Sequence, residues 1–302
     1  MSKIIGAIAG DIIGSVYEWN NVKHFSDIEF FANKSRFTDD TVLTCAVAEW
    51  LMDTMNDSSD KEDAYCHDKL VNSLKKYGRK YFYAGYGKLF KKWLYSDSNE
   101  PIGSFGNGSG MRVSPVGFFC NDVETAKKWA MASAEVTHND TEGIKGAQAI
   151  ACCIVMASNG KGKKDIKKYI EEEFGYDLNK KITDYVNFYC NDPYQNVLSR
   201  VHKFDATCQV TVPEAIVAFL ESESYEDAIE KAILIGGDSD TIACMTGAIA
   251  GAFYGVPEYI ERKAMEKLPK DLAEIVANFA NFINENRYLR TKDTEVENEK
   301  QS

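Results

Sequence analysis

The chain has 302 residues, enough to bury a sizeable core in one large domain or in two ordinary ones. Its apolar fraction of 44% is that of a globular protein. A formal net charge of -11 and a pI near 5.0 exclude a general nucleic-acid surface or an acidic-membrane surface, because both would need a basic face.

The first predicted element is a helix over residues 3–17, on which small residues recur every three or four positions. Gly6, Gly10 and Gly14 carry this spacing, which would let a second helix approach closely. The pentapeptide Gly-Ala-Ile-Ala-Gly at 6–10 recurs at 247–251, so the two segments are predicted to pack against each other. Asp11 interrupts the apolar run, and we therefore predict neither a signal peptide nor a membrane span.

The pattern of apolar residues in the rest of the chain predicts helices joined by loops. From Val42 the apolar residues recur at the spacing of a helix buried on one face. Residues 64–95 indicate helix around an aromatic break, 96–110 indicate loop, and Pro213 fits the first turn of a helix ending near 220. Further helices are predicted at 122–135, 142–157, 163–173, 180–190, 194–202, 225–235, 241–254, 257–267 and 270–287. The chain is thus predicted to be all-α, with one domain over 1–290 and a disordered acidic tail at 291–302.

Two acidic clusters stand about two hundred positions apart, each at the head of a predicted helix. They are Thr38-Asp39-Asp40-Thr41 and Asp238-Ser239-Asp240-Thr241. Taken singly, each cluster is explained as an ordinary N-cap. Together, their four carboxylates would repel one another unless cations balanced them. Oxygen ligands without nearby His or Cys favour Mg²⁺ or Mn²⁺ over Zn²⁺, so the pair predicts a hard-cation site.

Three further features are candidate site elements, and each has an ordinary structural alternative. Glu18 ends the first helix, where an exposed helix-end glutamate is the alternative. The glycine-rich segment 103–112 could form a loop whose N–H groups bind phosphate, but it lacks a P-loop ending and could equally be a surface turn. His138 would either contact a ligand or cap the next helix. No G-x-S-x-G elbow and no evident Cys–His pair is present, which disfavours a Ser or Cys nucleophile.

Eight cysteines are present, and none forms a C-x-x-C pair. Most lie within apolar helical stretches, a pattern typical of reduced core cysteines rather than of disulfides or a zinc site. We therefore predict a cytoplasmic protein. A monomer is the expected state, because the sequence shows no identifiable interface.

Several motifs, taken in order, resemble the ADP-ribosylglycohydrolase family, which includes dinitrogenase reductase-activating glycohydrolase and the ADP-ribosyl-acceptor hydrolases. The resemblance spans residues 4 to about 258. It is carried by Gly10-Asp11 with Gly14 and Glu18, Phe37-Thr38-Asp39-Asp40-Thr41, Gly106-Asn107-Gly108 with Met111-Arg112, Thr137-His138, and Gly236-Gly237-Asp238-Ser239-Asp240-Thr241.

The resemblance implies a compact, orthogonal helical bundle with a binuclear metal cleft that holds two Mg²⁺ or Mn²⁺ ions. It implies Glu18, Asp39 and Asp40 as catalytic residues. The implied metal ligands are Thr38, Asp39, Asp40, Asp238, Asp240 and Thr241. The implied substrate-binding residues are Gly103, Ser104, Phe105, Gly106, Asn107, Met111 and His138.

By the same resemblance, the chain is predicted to hydrolyse the N- or O-glycosidic bond that joins ADP-ribose to a modified protein or to a related derivative. Segments around Tyr17, Lys88 and Pro213 are more similar to the third human-type acceptor hydrolase than to the arginine-specific enzymes. That subtype is associated with serine-linked ADP-ribose, poly-ADP-ribose and O-acetyl-ADP-ribose. Phe105 stands where that family has a tyrosine.

Two alternatives belong to other classes. A non-catalytic relative would bind ADP-ribose without turnover. A D-x-D-T phosphohydrolase of the haloacid-dehalogenase kind would need an early nucleophilic aspartate followed by a parallel sheet. Only helices are predicted after Asp240, so this second alternative is remote.

Overall fold

The computed structural model describes residues 3–22, 24–56, 67–185 and 205–300, and from residue 286 onward only the helical backbone. Within these ranges the chain forms helices, and no strand is present. One isolated antiparallel bridge joins Gly106 to Thr207. The predicted all-α class is therefore confirmed.

The helices follow one another in the order of the predicted elements. A short 3₁₀ turn, Phe25–Asp27, lies between the first two. The α-helices are α1 (Ile5–Gly14), α2 (Asp39–Asn56), α3 (His67–Lys80), α4 (Lys88–Leu94), α5 (Gly108–Met111), α6 (Ser114–Phe119), α7 (Val123–Glu135), α8 (Thr141–Ser158), α9 (Lys163–Phe174), α10 (Cys208–Glu221), α11 (Tyr225–Ile235), α12 (Ser239–Tyr254), α13 (Glu258–Glu266) and α14 (Lys270–Lys300).

Some predicted boundaries are wrong. Pro213 lies inside α10, in its second turn, because the helix begins at Cys208 rather than at the proline. The predicted loop at 96–110 ends in the short helix α5, and α6 was missed. Both are short segments rich in Gly and Pro, in which helical apolar spacing is not visible. The predicted helix 194–202 lies outside the described residues, and only the beginning of 180–190 is described, as helix at 182–185.

The helix α14 begins at Lys270, as predicted, and continues past the predicted end at 287 to Lys300. The domain limit at 290 and the separate acidic tail remain predictions. Within the described part of the chain, no helix has both the length and the apolar character that crossing a membrane requires.

Helices α1 and α12 pack at very short distance through their small residues, as the repeated pentapeptide predicted. A Cβ atom on Gly10 would lie 2.0 Å from the Ala243 carbonyl oxygen, and one on Gly6 would lie 2.5 Å from that of Gly247. A Cβ atom on Gly14 would lie 2.6 Å from the Cα of Asp240. The glycines of α1 therefore bring its backbone directly against the helix that begins at the second acidic cluster.

Gly10→Ala is expected to destabilise the fold by about 1–3 kcal/mol or more, because the new methyl group would meet backbone that cannot rotate away. Chemical unfolding followed by circular dichroism measures this change. Gly87→Ala is the matched control, since Gly87 has a φ of −58° and a Cβ atom on it would meet nothing within 4 Å. Equal stability of the two variants would contradict the close packing of α1 on α12.

Candidate active site

A cleft of about 600 Å³ opens where the N-termini of α2 and α12 meet the end of α1. Asp39 and Asp40 form the first turn of α2, while Asp238 precedes α12 and Asp240 lies in its first turn. Gly236 and Gly237, with φ of 85° and 71°, turn the chain into α12. Helix N-termini favour negative charge, so the two acidic clusters lie where the backbone dipoles stabilise them.

Two groups of three carboxylates lie in the floor of this cleft and share one member. In each group, one oxygen atom per residue lies within 4.8 Å of the others. Asp11, Asp40 and Asp240 form the first group, and Glu18, Asp238 and Asp240 form the second. The fold thus brings together acidic residues from α1 and the turn after it, from α2, and from the beginning of α12, with Asp240 common to both groups.

Asp11 is a site residue that was not predicted from the sequence, although Gly10-Asp11 is one of the motifs that resemble the family. It is fully buried within α1. Its carboxylate accepts hydrogen bonds from the backbone N–H of Thr38 at 2.9 Å and from that of Thr41 at 3.1 Å. The Thr38 hydroxyl donates to it at 2.7 Å, and the Thr41 hydroxyl also donates. Asp11 therefore ties α1 to the first turn of α2.

The predicted threonine and aspartate ligands all lie at the carboxylate groups or beside them. Thr241 Oγ1 lies 3.3 Å from Asp40 Oδ2, and Thr38 Oγ1 lies 3.2 Å from the same oxygen. Asp39 lines the cleft but belongs to neither group of three, and its Oδ1 faces Gly85 instead. The structure thus places five of the six predicted ligands in the two carboxylate groups or beside them, and Asp39 belongs to neither group.

Burial and mutual repulsion disfavour the charged state of these carboxylates. Burial, followed by the charge of Asp240, raises the pKa of Glu18 to about 7. Burial raises the pKa of Asp238 to about 6, although the Asn107 amide, which donates to it at 2.7 Å, acts in the opposite direction. The pKa of Asp40 is raised well above its ordinary value by burial and by the charges of Asp11 and Asp240.

The carboxylate and hydroxyl groups in the floor of the cleft are suited to bind divalent cations. Asp40 Oδ1 is buried and has no hydrogen-bond partner among the described residues, as expected of an oxygen that coordinates an ion. The donor set consists of carboxylate and hydroxyl oxygens, which suit hard cations such as Mg²⁺ or Mn²⁺. Bound cations would also offset the repulsion that raises these pKa values.

The glycine-rich loop and His138 form another part of the cleft wall. Of the predicted substrate-binding residues, Ser104, Gly106, Asn107, Met111 and His138 line the cleft. Gly103, with a φ of 64°, is a turn residue outside that lining. Phe105 is also outside it, and its side chain is 48% exposed.

The loop differs from a phosphate-binding nest in the use of its amides. The N–H groups of Gly103 and Asn107 donate to Asn139 Oδ1 and to the Ala206 carbonyl, both at 2.8 Å. The N–H groups of Ser104 and Gly106 also donate within the protein. Because these amides are already used, side-chain donors in the cleft gain importance for holding a ligand.

Comparison with known proteins identifies the family. The family model for ADP-ribosylglycohydrolase matches residues 2–291, nearly the whole chain. The chain belongs to the ADP-ribosylglycohydrolase family. It is accordingly a glycohydrolase enzyme, and the resemblance seen in the sequence motifs is confirmed.

Among curated relatives, this ADP-ribosylglycohydrolase is 29% identical to ADP-ribosylhydrolase ARH3 of Gallus gallus, with 83% of this chain and 84% of that protein covered. It is 27% identical to ARH3 of Homo sapiens, with 85% and 86% covered. It is also 23% identical to ADP-ribosylarginine hydrolase Tri1 of Pseudomonas putida, with 90% and 76% covered.

A solved structure titled "ADP-ribosylglycohydrolase-related protein complex" superposes with a TM-score of 0.66 at 18% identity. The superposition covers 93% of this ADP-ribosylglycohydrolase and 96% of that chain. At this identity the likeness establishes the helical fold alone. A helical fold without a parallel sheet in the described ranges also sets aside the phosphohydrolase alternative.

Proposed function

We propose that this enzyme is a divalent-metal-dependent hydrolase that releases ADP-ribose from modified protein by cleaving its glycosidic bond. The observation that carries the proposal is the pair of carboxylate groups sharing Asp240 in a cleft whose wall also carries the glycine-rich loop and His138. The acidic floor suits a metal-assisted reaction at a sugar, while the loop offers room for a nucleotide and His138 offers a side-chain donor. Relatives named as ADP-ribosylhydrolases support the substrate class.

In the proposed reaction, the bond between the anomeric carbon of the distal ribose and the acceptor atom breaks, and a bond to a water oxygen forms. One proton leaves the water, and the departing acceptor atom gains a proton. Positive charge develops on the ribose ring as the bond breaks, which nearby carboxylates stabilise.

Glu18 is the residue that we assign to move this proton. It lies at the cleft with its carboxylate near Asp240, and its pKa of about 7 matches proton exchange at neutral pH. It lies in the turn that follows α1 and is only partly buried, so a reacting group can reach it. Asp39 lines the cleft close by and could share acid–base work.

The proposed metal ligands are the aspartates of the two carboxylate groups, with Thr38 and Thr241 beside them, whereas Glu18 is kept for moving the proton. This set adds Asp11 to the ligands implied by the sequence motifs and places Asp39 at its edge. Bound Mg²⁺ or Mn²⁺ would supply positive charge and Lewis acidity toward ribose hydroxyls and water. Asn107 would orient Asp238 through the hydrogen bond that its amide donates.

The acceptor linkage is the finer part of the proposal. We propose an O-linked acceptor such as serine, because the segments around Tyr17, Lys88 and Pro213 resemble the subtype associated with serine-linked ADP-ribose. In agreement, the two ARH3 proteins described above share higher identity with this chain than the arginine hydrolase does. The alternative, a relative that binds ADP-ribose without turnover, finds no support in the site, since Glu18 and the acidic residues are all in place.

The test measures ADP-ribose release from matched peptides that carry serine-linked or arginine-linked ADP-ribose. Each peptide is assayed with Mg²⁺, with Mn²⁺ and after chelation. Release from the serine-linked peptide that stops on chelation is the expected result. Release from the arginine-linked peptide alone would overturn the linkage, and release unaffected by chelation would overturn the metal dependence.

Metal binding is expected to stabilise the protein more at high pH than at low pH. The folded-state pKa values of Glu18 and Asp238, about 7 and about 6, are raised above their unfolded values. Metal-free stability therefore falls as the pH rises through this range, because the folded state must release protons that it binds more tightly. Mg²⁺ binds the deprotonated carboxylates and offsets this loss.

The measurement is the melting temperature with and without Mg²⁺ at about pH 5.5 and about pH 8. At saturating metal, we expect a gain of several degrees at the higher pH, corresponding to roughly 2–4 kcal/mol, and a much smaller gain at the lower pH. A gain that is the same at both pH values would mean that the metal does not bind these carboxylates.

A further inference from the structure

Arg112 is a buried cation beside the cleft wall, and the proposed reaction does not use it. Its side chain is 0% exposed, and among the described residues no carboxylate forms a salt bridge with it. Its Nη2 donates to the Ser133 carbonyl at 2.6 Å and to Thr137 Oγ1 at 3.0 Å. Burying a guanidinium without an acidic partner is costly, so its hydrogen bonds strongly constrain the groups that accept them.

Thr137 passes this constraint to His138. A guanidinium can only donate, so the Thr137 oxygen accepts from Arg112. That oxygen also lies 2.7 Å from His138 Nδ1. The buried hydroxyl hydrogen of Thr137 needs an acceptor, and Nδ1 is the acceptor that the described residues provide. Nδ1 therefore carries no proton, and the proton of the neutral ring lies on Nε2.

His138 Nε2 is directed toward the glycine-rich loop. A Cβ atom on Gly108 would lie 2.9 Å from Nε2, and one on Gly106 would lie 3.8 Å away. All three residues line the cleft. Burial and the charge of Arg112 lower the pKa of His138 well below its ordinary value, so the ring stays neutral with a single N–H donor. The N–H groups of Gly103, Ser104, Gly106 and Asn107 already donate within the protein, and the Nε2–H of His138 is a side-chain donor at the same wall with no acceptor among the described residues.

We propose that Arg112 and Thr137 are positioning residues that fix the tautomer of His138, so that its Nε2–H donates to an acceptor atom of the nucleotide in the cleft. The identity of the nucleotide as ADP-ribose rests on the proposed function. The tautomer does not, because it follows from hydrogen bonds within the protein alone.

The test uses the full chain labelled with ¹⁵N in its histidine rings and records long-range ¹H–¹⁵N correlations without ligand. His138→Gln identifies the His138 signals. Thr137→Val removes the hydroxyl while keeping the side-chain shape, and Thr137→Ser is the matched control that keeps the hydroxyl. Affinity for free ADP-ribose is measured by calorimetry on the same proteins.

The wild type and Thr137→Ser are expected to show a proton on Nε2 and an unprotonated Nδ1. Thr137→Val is expected to populate the other tautomer and to weaken ADP-ribose binding by about 3- to 10-fold, the effect of one hydrogen bond. Arg112→Met is expected to change the tautomer and to weaken ADP-ribose binding in the same way. If Arg112→Met does not fold, the comparison of Thr137→Val with Thr137→Ser still tests the proposal.

A proton on Nδ1 in the wild type would overturn the proposal. So would a Thr137→Val protein whose tautomer or ADP-ribose affinity equals that of the wild type. If neither the wild type nor any variant binds ADP-ribose, the proposed function is wrong. The tautomer spectra would still confirm or reject the chain of hydrogen bonds from Arg112 to His138.

Discussion

Glu18→Gln is expected to lower the rate of ADP-ribose release by about two orders of magnitude or more, the range that a positioned acid–base group contributes. The amide has nearly the shape of the carboxylate but cannot exchange a proton at neutral pH. Because the Glu18 side chain is only partly buried, replacing it with glutamine should leave the fold intact. The measurement is single-turnover release from the serine-linked peptide.

Two controls separate this chemical role from binding. Affinity for free ADP-ribose and the thermal response to Mg²⁺ should both stay within a few-fold of the wild type, since Asp11, Asp40 and Asp240 remain in place. Glu29→Gln, which changes an exposed glutamate outside the cleft lining, should leave the rate unchanged. Near-normal turnover by Glu18→Gln would remove Glu18 from the proton-moving role.

The helices could be predicted from the sequence because their apolar residues recur at helical spacing and their acidic residues stand at the N-termini. The packing of α1 on α12 was also predictable, since a run of small residues that occurs twice indicates two helices in close approach. The beginning of α10 could not be predicted, because a proline is typical of the first turn of a helix and Pro213 was therefore placed there. No residue near Cys208 indicates that the helix begins at that position.

Asp11 shows why the site was only partly predictable. In the sequence it looks like a single polar interruption of an apolar helix, and its partners Thr38 and Thr41 follow about thirty positions later. Only the fold shows that it accepts hydrogen bonds from both threonines and that it approaches Asp40. A buried carboxylate in an otherwise apolar, glycine-rich helix is the signal that could have identified it.

The glycine-rich loop is a case in which the sequence left two alternatives open. Its composition allowed either a backbone nest for phosphate or a surface turn, and only tertiary contacts show where its amides donate. Asn107 donates its backbone N–H to Ala206, a residue about a hundred positions away. The spacing of glycines reports backbone freedom, whereas the direction of each N–H depends on neighbours that a local motif does not contain.

Asp240→Asn is expected to abolish the thermal response to Mg²⁺ and to lower ADP-ribose release by at least about 10²-fold. Loss of a residue that merely orients a metal ligand costs about 10- to 100-fold, and a shared direct ligand should cost at least as much. Asp240 belongs to both carboxylate groups, so its replacement disturbs each of them. Asp238→Asn is the matched comparison, because Asp238 belongs to one group only.

The metal-free stability of the Asp240 variant separates loss of a ligand from misfolding. Burial and the charges of Asp238 and Asp11 raise the pKa of Asp240 well above its ordinary value, so its charge is disfavoured in the folded protein at neutral pH. Asparagine removes that charge and can still accept the backbone hydrogen bond from Thr241, which is 3.0 Å long. The metal-free variant should therefore be at least as stable as the metal-free wild type. A variant that unfolds without metal, or one that keeps metal-dependent release, would contradict the assignment of Asp240 as the shared ligand.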